Sequence, residues 1–240
     1  MWVDDLISFT NSPAESDRVE KELKLKFKIK ILGEPSLLLG MKISCNKELK
    51  IIKLSQTHYI DKILPQVRLQ GANSVATPID PGVNLEFDEE EHNRMIDDQA
   101  SGTYAKAIRS LMYAAIGTCP DIAYAVHTLV KFTRSPQPKH WTAIKRIFQY
   151  LKGTCNHTLT YGGSDQEWKL ELNMYCDADW ASSYDRKSIS RYVFLLAGGA
   201  VSWSSKKQAT IALSTAEAEY VAATHTAKQI LWHRSLFNEL

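Results

Sequence analysis

The sequence predicts an α+β fold, in which strands are followed by helices and then by strands again. Two kinds of periodicity favour this class. Apolar residues alternate with polar ones near residues 27–54 and again after residue 161, as in half-buried strands. Between them, apolar residues recur at helical spacing over residues 104–151. A chain of 240 residues, 44% hydrophobic and 23% charged, is long enough to bury cores of this kind.

The first predicted segment, residues 1–80, contains a helix, strands and a second short helix. The stretch "SPAESDRVEKELKLKF" opens with Ser and Pro before acidic residues, as helices typically do. "KFKIKIL" alternates strictly, which predicts a strand with a basic outer face. Further strands are expected at 37–44 and 49–54, and "QTHYIDKILPQ" predicts a helix that Pro65 ends.

The second predicted segment, residues 81–160, is an acidic connector followed by helices. Residues 71–100 are rich in Pro, Gly and acids and have weak periodicity, which is typical of an exposed connector. Helices are expected at 104–115 and 121–132. "SPQPKHWTAIKRIFQYLKGT" predicts a third helix, with one apolar stripe and a cluster of basic residues around it.

The third predicted segment, residues 161–240, has the order strand, strand, strand, helix. The expected elements are a strand in "EWKLELNMYCDADW", a hairpin of 191–197 with 200–204 around two glycines, and a third strand at 209–213. Ser214 and Glu217 have the spacing of a capping box at the start of the final helix.

Composition excludes several classes of protein. No apolar run approaches the roughly 18 residues that span a bilayer, and the start has no basic segment followed by an apolar one. We therefore expect an intracellular protein without a membrane partner. The four cysteines are scattered without a CxxC pair, so reduced, buried thiols are expected rather than zinc-finger or redox sites.

Carboxylates in two places are candidate metal ligands. Asp4 and Asp5 are adjacent within an apolar run, and they belong either to a surface turn or to a site that binds cations. Asp177, flanked by Asp179, ends a predicted strand, and Glu219 lies on the final helix. Paired carboxylates of this kind can hold Mg²⁺. The alternative assigns Asp177 to a turn and Glu219 to a solvated helix face.

Basic residues are candidate contacts to nucleic acid. A row of lysines on a strand can follow a phosphate backbone, but it can equally keep an edge strand soluble. Two lysines near Trp203 are a further candidate contact, to a hybrid duplex. The candidate contacts are Lys26, Lys28, Lys30, Lys145, Arg146, Lys206 and Lys207.

Several ordered motifs resemble one known family. Residues 104–151 resemble the connecting region of copia-type retrotransposon polyproteins, and residues 175–220, "YCDADWASSYDRKSISRYVFLLAGGAVSWSSKKQATIALSTAEAEY", resemble the family's ribonuclease H domain. "VDDL" at 3–6 resembles the reverse-transcriptase palm motif, and "LLLGMKI" and "LSQTHYIDKIL" match what usually follows it. The resemblance implies a reverse-transcriptase palm and thumb-side remnant, a helical connecting region and an incomplete ribonuclease H-like βββα segment.

The resemblance also implies roles for the acidic residues. Asp4 and Asp5 match the adjacent aspartates that hold metal ions in the polymerase, together with a third from an earlier strand. Asp177 matches the first catalytic aspartate of the ribonuclease, and Glu219 matches its helix glutamate. Mg²⁺ is the implied cofactor. The implied partners are an RNA–DNA hybrid and the rest of the Pol polyprotein, in the cytoplasm within a virus-like particle or in the nucleus.

On this resemblance we expect a catalytically incomplete fragment of a polyprotein that copies RNA into DNA and cleaves RNA–DNA hybrids. One polymerase ligand and two ribonuclease ligands have no match within the chain. The alternative is a non-catalytic remnant that at most binds nucleic acid through its basic faces. The chain departs from the family pattern at Arg109 and Arg191, each where a glycine is usual.

Overall fold

The computed structural model describes residues 6–10, 12–67, 71–87, 98–163, 171–182 and 185–239, with the side chains of 98–101 excepted. Six α-helices, two short 3₁₀ helices (Leu64–Val67 and Pro120–Ile122) and seven strands are assigned in these ranges. The helices are α1 (Pro13–Lys26), α2 (Thr57–Ile63), α3 (Asp98–Gly117), α4 (Ala123–Val130), α5 (Pro138–Thr154) and α6 (Thr215–Glu239). The strands are β1 (Leu37–Leu38), β2 (Met41–Asn46), β3 (Ile51–Ser55), β4 (Leu159–Gly162), β5 (Asn173–Asp179), β6 (Ile189–Leu196) and β7 (Gly199–Lys207). The α+β expectation is confirmed.

The first sheet is antiparallel and has the order β1-β2-β3-β4. β1 and β2 are joined by a tight turn at Leu39 and Gly40, both with positive φ, which suits the twist of a two-residue hairpin. β4 follows the helices in the chain but pairs with β3, so that Ile51 lies opposite Gly162. The sheet is therefore completed by a strand from a distant part of the sequence.

The largest buried cluster lies among α2, α3, α4 and α5. Each helix presents one apolar stripe to it, as the helical periodicity predicts. Tyr104, Leu111, Ile144 and Phe148 are almost completely buried in this cluster. Ile60 and Ile63 of α2 join it, so the residues before the connector share one core with the helices after it.

The connector between α2 and α3 is held against α5 in its described part. Lys152 donates to the backbone oxygen of Ala72 at 2.9 Å. The imidazole Nε2 of His140, which is buried, lies 2.7 Å from the backbone oxygen of Leu85. Leu85 is itself only 7% exposed, so part of the segment expected to be exposed contributes to the core.

The second sheet consists of β5, β6 and β7 in antiparallel order. Alternation along the strands divides its side chains between two faces. One face packs on α6, where the ring of Phe194 stacks on His233 at 4.9 Å between centroids. The other face lies towards α3 and α4, where the indole Nε1 of Trp203 donates to the backbone oxygen of Ala115 at 2.8 Å.

The two sheets meet where β4 approaches the β6–β7 hairpin. The backbone N–H of Gly162 donates to the backbone oxygen of Ala197 at 2.9 Å. The hydroxyl of Tyr161 donates to the backbone oxygen of Ala200 at 2.7 Å. β4 therefore contributes hydrogen bonds to both sheets.

Two predicted strands are wrong. Residues 28–32 have no regular structure, and Lys26 is the last residue of α1. The alternation there meets no neighbouring strand, and Phe27 remains 62% exposed. Residues 209–213 form a loop before α6. The final helix begins as expected, because the backbone N–H of Glu217 donates to the Ser214 hydroxyl at 3.2 Å.

Three further differences are smaller: the turn at Leu39 and Gly40 divides the predicted strand 37–44, β4 was not predicted, and the thiols of Cys45 and Cys176 are exposed rather than buried. The three helices of residues 98–154 and the hairpin of β6 with β7 are confirmed. The hairpin turn lies at Ala197 and Gly198, which both have positive φ. Within the described ranges, every helix is too short or too polar to cross a lipid bilayer.

Candidate functional site

The adjacent aspartates Asp4 and Asp5 fall outside the described residues. Their assignment to a polymerase metal site therefore stays a prediction. The remaining candidate residues all lie in described parts of the chain, but apart from one another. They lie on the α4-facing side of the second sheet, on α6, at the α4–β7 edge, at and after the end of α1, and on α5.

The acidic pair Asp177 and Asp179 lies on one face of β5, two positions apart. Asp177 is paired with Arg191 of β6 in the sheet register, so both side chains belong to this face. Arg191 Nη1 donates to Asp177 Oδ2 at 3.2 Å, and Nη2 donates to Asp179 Oδ2 at 3.1 Å. One guanidinium thus bridges both carboxylates.

The same guanidinium also contacts α4. Its central carbon lies 4.8 Å from the centroid of the Tyr124 ring, which is the geometry of a cation–π interaction. The Arg191 side chain is 35% exposed, against 61% for Asp177 and 37% for Asp179. Arg191 therefore connects β5, β6 and α4 at a site that water reaches mainly from the Asp177 side.

Glu219 lies on α6, across the sheet from this acidic pair. Gln208 Nε2 donates to the Ala218 backbone oxygen and to Ser190 Oγ, both at 2.9 Å, which fixes the start of α6 against the even-numbered side of β6. Asp177 is directed to the opposite side. Glu219 itself is exposed. A cation shared by Asp177 and Glu219 therefore stays a prediction.

No group of three or more His, Cys, Asp or Glu side chains is arranged to hold a metal ion in the part of the chain that the structure describes. Among the described residues, Asp179 is the acid that shares Arg191 with Asp177. Mg²⁺ prefers six oxygen ligands in octahedral geometry and usually keeps several waters. What the described residues present is an arginine between two carboxylates.

A group of basic side chains lies at the edge between α4 and β7. Burial lowers the pKa of His127, and the charges of Lys131, Lys206 and Lys207 lower it further. The pKa of Lys131 is lowered as well, first by burial and then by Lys207. Lys207 Nζ pairs with Asp185 Oδ2 at 2.7 Å. We call His127, Lys131, Lys206 and Lys207 the α4–β7 basic cluster.

The other predicted basic residues do not form one surface. Lys26 ends α1, and Lys28 and Lys30 follow in an irregular stretch, so they do not share a strand face. Lys145 Nζ lies 5.9 Å from the Trp141 ring centroid on α5. Arg146 Nη2 donates to Thr77 Oγ1 at 2.8 Å and so holds the connector.

Sequence reasoning missed a second basic surface, a cavity of about 770 Å³ between α2 and α3. Its described lining contains no acidic side chain. The side chains that give it charge and shape are His58, Tyr59, Lys62, Lys106, Arg109 and Tyr113. Helical spacing of Lys106 and Arg109 was the signal that these side chains share a face.

Sequence reasoning also missed the role of Arg191 and its partner Tyr124. The available signal was a charged residue inside the otherwise apolar strand "RYVFLL". The hairpin and the strand pairing set the register that places Arg191 opposite Asp177. A slip of one residue would turn the Arg191 side chain to the other face of the sheet. Lys131 was likewise missed, because only the fold brings it beside Lys207.

Comparison with known proteins identifies relatives along the whole chain. The family described as reverse transcriptase (RNA-dependent DNA polymerase) matches residues 1–81. The retrovirus-related Pol polyprotein from transposon TNT 1-94 of Nicotiana tabacum is 38% identical over 100% of this chain and 18% of its own length. The corresponding polyprotein from transposon RE1 of Arabidopsis thaliana is 34% identical over 100% of this chain and 16% of its own length.

The chain covers a larger share of a shorter relative. A putative transposon Ty5-1 protein of Saccharomyces cerevisiae is 33% identical over 96% of this chain and 72% of its own length. The chain spans less than a fifth of the two plant polyproteins. No solved structure matches it.

Proposed function

Because this chain belongs to the Pol polyprotein family of copia-type retrotransposons, we propose that it is a nucleic-acid-binding part of such a polyprotein. The observation that carries the proposal is the α4–β7 basic cluster. Burial and then the charge of Lys207 lower the pKa of Lys131, while Asp185 and Glu86 offset this in part. Like charges brought together by a fold repel each other, and a polyanion relieves that repulsion.

The chemistry of the cluster fits a phosphate backbone. Lysines that neutralise phosphates release counterions, which favours binding without regard to base sequence. His127 adds a side chain that gains a proton more easily when phosphates offset the neighbouring lysines. The α2–α3 cavity supplies further cations on another part of the surface. An RNA–DNA hybrid or another nucleic acid is the partner we propose.

Neutralising β7 lysines tests this proposal. We expect Lys206→Ala combined with Lys207→Ala to weaken binding of a hybrid duplex by about tenfold and to lower the salt slope by about one per lysine. Loss of Lys207 also leaves the Asp185 carboxylate without its ion pair. The unpaired negative charge then repels the phosphates of the duplex. Fluorescence anisotropy of a labelled hybrid across a salt series measures both effects.

Lys228→Ala on α6 is the matched control for Lys206→Ala, because both lysines are exposed. Binding by the control variant should equal that of the unmodified chain. Equal binding by all three proteins would contradict a role for the cluster. An absence of binding by the unmodified chain at low salt would contradict the proposed function itself.

The finer organisation is also a proposal. Residues 1–80 would correspond to the palm and thumb side of a reverse transcriptase, 81–160 to the connecting region and 161–240 to a ribonuclease H-like unit. The match of the reverse transcriptase family to residues 1–81 supports the first assignment. That family suggests a divalent metal in general, and Asp4 and Asp5 are the residues that would hold it.

Cleavage of the RNA strand of a hybrid is the competing function. The side-by-side carboxylates of Asp177 and Asp179 favour it, whereas their ion pairs with Arg191 oppose it. We expect no release of labelled RNA above a buffer blank, with either Mg²⁺ or Mn²⁺. Cleavage that disappears in Asp177→Asn, with hybrid binding retained, would establish the nuclease instead.

A further inference from the structure

The residues present at Asp177 do not fit the metal that the family implies. Arg191 donates one hydrogen bond to Oδ2 of Asp177 and one to Oδ2 of Asp179, so a divalent ion bound by both carboxylates would compete with the guanidinium. Charge-assisted hydrogen bonds of this kind are stronger than neutral ones. The described surroundings offer no cluster of three or more ligating side chains.

We propose that the Arg191 guanidinium serves as the resident cation of this acidic pair and prevents Asp177 and Asp179 from binding a divalent metal. The inference does not rest on the proposed nucleic-acid binding, because it is argued from the contacts of Arg191 alone. It assigns Arg191 a positioning and blocking role.

Geometry makes Arg191 difficult to displace. Its two terminal nitrogens reach two different carboxylates, while the plane of the group lies over Tyr124. A planar guanidinium is suited to such combined pairing and stacking, and a lysine ammonium is not. Moving it aside for a metal would break two ion pairs and one cation–π contact together.

Charge adds to the effect of geometry. A divalent cation within reach of Asp177 would lie close to the positive guanidinium, and the two would repel each other. Partial burial of Arg191 reduces the screening by water. The acidic pair therefore stabilises the packing of β5 and β6 on α4, in place of holding metal.

The test is a titration with Mn²⁺, followed by paramagnetic broadening of the backbone amide signals of residues 177–179. We expect no selective broadening in the unmodified chain at sub-millimolar Mn²⁺. Arg191→Gln removes the positive charge and leaves a shorter, neutral side chain whose single amide group cannot bridge both carboxylates. This variant should bind Mn²⁺ at these amides at least about tenfold more tightly.

Two further variants isolate the cause. Arg191→Lys keeps the positive charge but loses the bridging and stacking geometry, so its Mn²⁺ affinity should lie between those of the unmodified chain and Arg191→Gln. Arg191→Gln combined with Asp177→Asn should lose the gained binding. In thermal unfolding, Asp177→Asn should lower Tm in the unmodified chain but have little effect beside Arg191→Gln, because the ion pair is already absent.

Equal broadening in the unmodified chain and in Arg191→Gln would overturn the inference, as would a gain that survives Asp177→Asn. Circular dichroism establishes whether each variant folds. If Arg191→Gln does not fold, the Mn²⁺ titration of the unmodified chain is compared with that of Asp177→Asn. Broadening at 177–179 that Asp177→Asn removes would then overturn the inference, and its absence would support it.

Discussion

Phe148→Ala is expected to lower the free energy of unfolding by about 3–5 kcal/mol. Phe148 lies on the inward stripe of α5 and is 1% exposed. Removing its ring deletes a large apolar surface and leaves a cavity that the surrounding helices fill only in part. Urea unfolding followed by circular dichroism measures the change.

Ile116→Ala is the control for this core prediction, because Ile116 lies on α3 but is 72% exposed. Its effect should stay within about 0.5 kcal/mol. Ile63→Ala, from α2, should shift the same single transition as Phe148→Ala, since both residues belong to one buried cluster. Two separate transitions, with Ile63→Ala affecting one and Phe148→Ala the other, would contradict a shared core.

Gly162→Ala is expected to destabilise the protein by about 2–5 kcal/mol, from a strained backbone and a steric clash combined. Gly162 has φ +85°, which L side chains rarely adopt. An added Cβ would also fall inside van der Waals contact with the backbone oxygen of Lys50. The strand must then move away from β3, which endangers the hydrogen bond from Gly162 to Ala197.

Gly33→Ala separates the two causes. Gly33 has a similar φ of +77°, but an added Cβ would meet nothing within 4 Å. This control should therefore cost only the backbone strain, about 1–2 kcal/mol. Thermal and urea unfolding of both variants give the comparison. Equal destabilisation by the two substitutions would contradict a steric contribution from the close approach of β4 to the turn before β3.

Local patterns predicted the helices and the β6–β7 hairpin because their causes are local. The apolar stripe of α5 and the Ser214–Glu217 cap each depend on residues within a few positions of one another. Strands depend on partners that sequence does not reveal. Residues 28–32 alternate but find no neighbouring strand, whereas the short "LTYG" of β4 finds one in β3.

In the candidate site, too, residue types were predictable from the sequence, and contacts between distant residues were not. Asp177 was identified from its place at a strand end, and Lys206 and Lys207 from their charge. Arg191 differs from the family pattern, which the sequence shows. Its contacts with Asp177 and Tyr124 depend on register and packing, which the sequence does not show. Charge type is visible in a sequence, while the distance between charges is a product of the fold.

The pairing of β3 with β4 has a consequence for the order of folding. Ile51 and Gly162 are opposite each other, so their contact closes a loop of more than one hundred residues. Such closure is entropically costly and slow compared with forming the intervening helices. During synthesis, β3 therefore remains an open edge until the ribosome has released the whole helical segment. Through that interval the chain is most vulnerable to pairing with another copy of itself.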